Sequence, residues 1–91
     1  MLYTVQYSKR AVKDIEKLDR QTRELILGWI RKNLEGCENP RLFGKGLTSN
    51  LSGKWRYRVG DYRIIAEIDG KNILITVIAV AHRSKAYKLN Y

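Results

Sequence analysis

The sequence predicts an α+β fold: a small antiparallel (mixed) sheet of about four strands, with an N-terminal αα-hairpin packed on one face, in the order β-α-α-β-β-β. Three observations predict it. Residues 8–34 place apolar side chains at helical spacing in two blocks. Residues 54–80 form three short blocks rich in Val, Ile and Tyr. Those three blocks are separated only by Gly60-Asp61 and by "DGKN" (69–72), both turn signals that join antiparallel neighbours. Ninety-one residues correspond to a single domain, 1–91, with one modest core.

The elements follow in order. "LYTVQY" (2–7) is short, β-branched and aromatic, and reads as a strand. Ser8 is placed to cap a helix in which Ala11, Ile15 and Leu18 share one side. "DRQ" (19–21) interrupts the pattern, with Asp19 as a second cap. Leu25, Ile26, Trp29, Ile30 and Leu34 line a second helix that ends near Gly36. Residues 37–53 hold the only proline and several glycines, and read as a long loop with room for a brief strand or turn. Strands are predicted at 54–59, 62–68 and 73–80. "ILITVIAV" (73–80) is apolar on both faces, which predicts the central strand. A short polar tail, "AHRSKAYKLNY", ends the chain.

Composition narrows the function. The formal charge is +9, and 44% of residues are hydrophobic. Residues 39–91 hold ten Lys/Arg against three Asp/Glu, whereas residues 1–38 hold eight against six. An excess of this kind points to an acidic partner such as nucleic acid. No apolar run approaches the roughly 20 residues of a membrane span, and no membrane partner is expected. The N-terminus lacks the layout of a secretory signal, and Cys37 has no second cysteine to pair with. Together these predict a cytoplasmic protein. No cluster of His, Cys, Asp and Glu suggests a metal, and no cofactor motif is present.

"KWRYRVGDYR" (54–63) concentrates the charge. With Gly60-Asp61 as a two-residue loop, glycine first suits a type II′ turn. The register is then fixed: Val59 opposes Tyr62, Arg58 opposes Arg63, Tyr57 opposes Ile64 and Arg56 opposes Ile65. Alternation puts Arg56, Arg58, Arg63 and Glu67 on one face. Trp55, Tyr57, Val59, Tyr62, Ile64, Ala66 and Ile68 share the other face, against the helices. Directly opposed like charges, with Cβ atoms about 5 Å apart, are destabilising. Glu67 is the one carboxylate placed to relieve Arg63. Such a face is best tolerated where an anion sits on it, and guanidinium forks favour phosphate. The plain alternative is a solvated surface on which the arginines splay apart.

"WRYRVGDYRIIAEI" followed by "ITVIAVAHRSKAYK" resembles the RelE/ParE superfamily of bacterial and archaeal toxins, on its RelE side. The N-terminal "YSKRAVKDIEKLDRQTRELI" fits the same pattern, so the resemblance covers nearly the whole chain. It implies a type II toxin–antitoxin toxin that enters the ribosomal A site and cuts mRNA there. By position, Arg56 and Arg58 match the two basic residues of the hairpin's first strand, and Arg63 the arginine expected at the scissile phosphate. Arg83 matches the arginine that assists the leaving 5′ oxygen, and Tyr87 the aromatic that orients mRNA. Lys54 and His82 are further candidates for proton transfer or RNA contact. The implied reaction is metal-independent attack of the ribose 2′-OH on the adjacent phosphate, leaving a 2′,3′-cyclic phosphate and a 5′-OH. The implied partners are a cognate acidic antitoxin and the 70S ribosome with its A-site mRNA.

The best-known RelE carries lysines where this chain has Arg56 and Arg58, and arginine is a poor general base because it stays protonated. A C-terminal helix such as some members carry is not expected in so short a tail. Three other readings stay open: a ParE-like inhibitor of DNA gyrase, a noncatalytic nucleic-acid-binding module, and a degenerate toxin that no longer cuts. ParE-like members generally lack the set Arg56, Arg58, Arg63, Arg83 and Tyr87.

Overall fold

The computed structural model describes residues 2–47 and 53–86. The chain runs β1 (Thr4–Tyr7), α1 (Lys9–Glu16), α2 (Arg20–Asn33), β2 (Lys45–Gly46), β3 (Trp55–Val59), β4 (Tyr62–Asp69), β5 (Leu74–His82) and α3 (Arg83–Ala86). The sheet has five strands in the order β1-β5-β4-β3-β2. β1 pairs parallel with β5, and the other pairs are antiparallel. The α+β fold and the mixed sheet agree with the sequence.

Three details differ. The loop at 37–53 contributes a fifth strand, β2, which pairs with β3 through Lys45 opposite Arg56. The middle strand is β4 rather than β5, although β5 is also flanked on both sides. Its two-sided apolar pattern reports burial between neighbours, not the central position. Finally, the polar tail contains one helical turn, α3, where no helix was expected.

Both long helices begin at the predicted caps. Ser8 Oγ accepts the Ala11 N–H at 3.1 Å, and Asp19 Oδ2 accepts the Thr22 N–H at 3.2 Å. Their apolar stripes bury Ala11 and Ile15 from α1, and Ile26, Ile30 and Leu34 from α2 and its C-cap. These meet Tyr57, Val59, Ile64, Ala66, Ile75, Val77 and Val80 from one face of the sheet. Fully burying each large apolar side chain contributes about 1.5–3 kcal/mol.

β5 contains a bulge. Ile65 pairs with Ala79 but Ala66 pairs with Val77, so Ile78 is the extra residue. α1 secures this irregularity at two points. Ser8 Oγ donates to the Ile78 carbonyl at 3.1 Å, and Asp14 Oδ2 accepts the Val80 N–H at 3.0 Å. The bulge lets Val77 and Val80, an odd number of residues apart, both reach the helix side. It also brings Ala79 and Ala81 opposite Ile65 and Arg63 on the other face.

The β1 edge is covered by the segment leaving α2. Tyr3 N–H donates to the Cys37 carbonyl, Gly36 N–H to the Tyr3 carbonyl, and Val5 N–H to Glu35 Oε2, each at 2.9 Å. At the opposite edge the loop before β2 is fixed to β3. Tyr57 Oη donates to the Pro40 carbonyl, and Trp55 Nε1 to the Phe43 carbonyl at 2.7 Å. Gly44, at φ 72°, packs so closely that a Cβ there would lie 2.1 Å from the Arg56 carbonyl oxygen. No helix among the described residues is long and apolar enough to cross a membrane.

Candidate functional site

The β3–β4 hairpin has the predicted register at every position, including Arg58 opposite Arg63 and Arg56 opposite Ile65. Gly60 sits at φ 57° and Asp61 does not share the positive φ, as a type II′ loop requires. The turn therefore decides which arginines meet.

The face away from α1 and α2 can be followed in rows across the strands. The row nearest the hairpin turn holds Arg58, Arg63 and Ala81, with Arg83 just beyond the end of β5. The next row holds Lys45, Arg56, Ile65 and Ala79. The third brings Glu67 opposite Thr76, with Lys54 on its other side. Cations gather in the first two rows and are absent from the Gln6–Thr76 pair at the far corner.

These arginines do not all splay into solvent. Arg56 and Arg63 are each only 7% exposed, whereas Arg58 is exposed. Arg63 Nη1 donates to the carbonyls of Gly60 at 3.1 Å and Tyr62 at 2.9 Å. The guanidinium thus folds back over its own turn, and its position is set before any ligand arrives. Arg83 joins through the backbone: its N–H donates to the Asp61 carbonyl at 2.7 Å. Its side chain remains 65% exposed, with Nε 4.0 Å from Asp61 Oδ1. An exposed pair at that distance contributes little to stability.

The remaining candidates are placed elsewhere. Glu67, expected to relieve Arg63, instead forms an ion pair with Lys54. That pairing places Lys54 roughly 13 Å along the strand from Arg58, judged from the strand rise. His82 pairs with Tyr62, and its ring meets the Tyr62 ring edge-on at 5.4 Å. Both belong to the helix side, where a cleft of about 330 Å³ is lined by Asp14, Lys17 and Lys85 among others. His82 is therefore not beside Arg58 and Arg63. Tyr87 lies outside the described residues.

Sequence reading passed over Lys45 as a site residue. With Gly44, Arg56 and Arg58 it lines an open cleft of about 250 Å³ between β2 and β3. The signal was "FGKG": glycines around a lone cation mark close backbone approach in a loop otherwise hard to place. The bulge supports from Ser8 and Asp14 carried no signal, because Ser8 read only as a helix cap and Asp14 as an ordinary polar position of α1. Among the described residues there is no group of three or more His, Cys, Asp or Glu side chains that would hold a metal.

The arrangement places positive charge for a phosphate on two strands, with the Arg63 guanidinium held by its turn and the Arg58 fork exposed. It can also stabilise charge that develops on that phosphate.

Comparison with known proteins gives consistent matches. The family model described as "ParE toxin of type II toxin-antitoxin system, parDE" matches residues 5–87. Toxin RelE of Mycobacterium tuberculosis is 30% identical over 88 residues, covering 97% of this chain and 89% of that protein. Toxin RelG of the same organism is 28% identical, covering 97% of this chain and 99% of that protein. Among solved structures, a chain of the toxin–antitoxin complex RelBE2 from M. tuberculosis superposes with a TM-score of 0.83 at 27% identity, covering 92% of this chain and 94% of that chain. A chain of the archaeal RelE–RelB complex from Pyrococcus horikoshii gives a TM-score of 0.69 at 30% identity, covering 94% of this chain and 100% of that chain.

Proposed function

From the premise that the chain belongs to the RelE/ParE superfamily of type II toxin–antitoxin toxins, we propose that it cleaves mRNA in the ribosomal A site and so inhibits translation. The observation that carries this reading is the direct opposition of Arg58 and Arg63, with Arg83 at the same end of the sheet. Arg63 is tied to its own turn, but nothing in the fold demands a like charge opposite it, since a threonine at 58 would suit an exposed strand position better.

In the proposed reaction the ribose 2′-OH attacks the adjacent phosphorus, the bond to the 5′ oxygen breaks, and a 2′,3′-cyclic phosphate and a 5′-OH result. Arg63, held by two carbonyls, faces one non-bridging oxygen as negative charge builds. Arg58, exposed on the neighbouring strand, approaches from the other side. Arg83 stabilises the departing 5′ oxygen. Lys54 is engaged by Glu67, and His82 lies on the helix side of the sheet. The reading therefore assigns most of the rate to positioning and charge rather than to a strong general base on the chain. Catalysis of that kind depends on a substrate already held in an attackable geometry, which the 70S ribosome supplies. Free RNA is expected to be cut poorly.

The partner in the resting state is proposed to be a cognate acidic antitoxin. The +9 charge supports it, as do two similar structures that are toxin–antitoxin complexes. Covering or neutralising the arginine face would block access to RNA.

Primer extension on mRNA in purified 70S ribosomes with an empty A site tests the reading. Wild type should cut at the A-site codon, and Arg83→Ala should lose most of that cutting. No cleavage by folded wild type would overturn it. One observation favours a second reading: the matching family model is described as a ParE toxin. Gyrase supercoiling in the presence of the protein separates the two, because a ribosome-dependent nuclease leaves it unchanged.

A further inference from the structure

Arg83 sits where β5 becomes α3, and that junction is unusually well tied for a four-residue helical turn. A first turn leaves its leading N–H groups without partners inside the helix. Here the first, on Arg83, donates to the Asp61 carbonyl of the β3–β4 turn at 2.7 Å. The second, on Ser84, donates to His82 Nδ1 at 3.2 Å. Ser84 Oγ lies 2.9 Å from the same nitrogen. His82 is the last residue of β5, and the residue preceding a helix ordinarily keeps an extended backbone while its side chain accepts an N–H of the first turn.

We propose that His82 is a positioning residue: its imidazole is the N-cap of α3, and it aims Arg83 at the arginine face rather than exchanging protons with RNA. The backbone Ser84 N–H can only donate, so Nδ1 accepts and the proton of the neutral ring sits on Nε2. The edge-on contact with Tyr62 fixes the plane of the ring. Tyr62 directly precedes Arg63 and supplies one of the two carbonyls that hold Arg63 Nη1. His82 and Tyr62 thus form one cross-strand pair whose members set the two neighbouring arginines, Arg83 and Arg63. A histidine acting as acid or base would need to reach the phosphate held by Arg58 and Arg63. Its side chain is instead on the helix side and committed to the turn.

The role in cleavage rests on the nuclease reading, but the capping contact does not, so the test has two arms. Asparagine is the informative substitute, because its Oδ1 occupies the position of histidine Nδ1 and cannot take part in proton transfer near neutral pH. In the first arm, 15N NMR of wild type should show the Nε2–H tautomer with Nδ1 as acceptor. Hydrogen exchange at the Ser84 amide should accelerate in His82→Ala by about 5-fold, the size expected for loss of a cap. His82→Asn should restore most of that protection. In the second arm, ribosome-dependent cleavage should fall in His82→Ala and recover in His82→Asn, to within about 3-fold of wild type.

An Nδ1–H tautomer, or a Ser84 amide equally protected in His82→Ala, would overturn the cap. Folded His82→Asn that keeps Ser84 protected yet cuts no better than His82→Ala would overturn the positioning role and return His82 to proton transfer. If wild type does not cut at all, the nuclease reading fails while the NMR arm still decides the cap. Should His82→Ala not fold, the comparison of His82→Asn with wild type carries both arms.

Discussion

The two ends of β4 treat charge in opposite ways. At the Asp69 end the polar groups on the open face are matched in pairs. Glu67 binds Lys54, Gln6 Nε2 donates to Thr76 Oγ1, and Asp69 accepts from the Lys71 and Asn72 backbone. At the Tyr62 end Arg58 opposes Arg63, and Arg83 stands beside the turn. Both ends use the same sheet, the same face and the same pairing rules. The difference shows that cross-strand matching was available to this sequence and was not used where the arginines meet. An end that is matched is complete by itself. An end built of like charges fits the proposed reading, in which the phosphate of RNA completes it.

The sharpest way to break this comparison is to remove the fixed member of the arginine pair. Arg63→Ala should reduce A-site cleavage by about 10²–10³-fold, the usual cost of losing one preorganised donor to a developing charge. Glu67→Gln, at the matched end of the same strand, should change cleavage by no more than about 2-fold, the size of a partly exposed ion pair. Primer extension measures both. Comparable losses in the two variants would mean that the ends do not differ in function.

Stability should show the reverse order. Arg58→Thr removes a like-charge pair and installs a good strand former, so it should stabilise the fold by about 0.5 kcal/mol while cutting falls. Glu67→Thr should destabilise by up to about 1 kcal/mol, because it leaves Lys54 without its carboxylate. Urea denaturation of the two variants reads the signs directly. A destabilised Arg58→Thr would show that Arg58 packs usefully against Arg56 and the β2 loop, and that opposition costs nothing.

The contrast between the ends also explains what the sequence disclosed. The Tyr62 end was legible because Gly60-Asp61 is a turn of fixed length, and a fixed turn sets every opposed pair behind it. Arg58 against Arg63 follows by counting. Counting cannot say how a long side chain folds, so the burial of Arg56 and Arg63 and the hold of two carbonyls on Arg63 were not legible. Nor was the choice of Glu67, since Lys54 and Arg63 both lay within its reach along the strand. A brief strand was allowed for in 37–53, but two residues are too few for a pattern that fixes its position or its partner. The bulge at Ile78 was hidden because "ILITVIAV" is apolar at every phase, which leaves its register to the partners. The place of His82 was not legible for another reason. Its chemistry is conspicuous in sequence, whereas its contacts with Ser84 and Tyr62 depend on the direction in which the strand ends.

The smallest effect concerns the turn that closes the Asp69 end. Hydrogen bonds from the Asn72 side chain and backbone hold the Asp69 carboxyl below its ordinary value. A group whose folded pKa is depressed contributes stability that is fully present above the ordinary carboxylate range and is lost as pH falls through the folded value. Acidification should therefore weaken the fold in the window below the usual aspartate pKa, and Asp69→Asn should flatten part of that slope. Asp19, lowered by Thr22 at the start of α2, titrates in the same window and accounts for another part. The Tyr62 end behaves differently, because its arginines stay charged throughout. Acid unfolding followed by circular dichroism should thus respond to Asp69→Asn but be indifferent in slope to Arg58→Thr. If Asp69→Asn left the acid limb unchanged, the turn would add nothing in this range, and the matched end would rest on Glu67 with Lys54 and on Gln6 with Thr76.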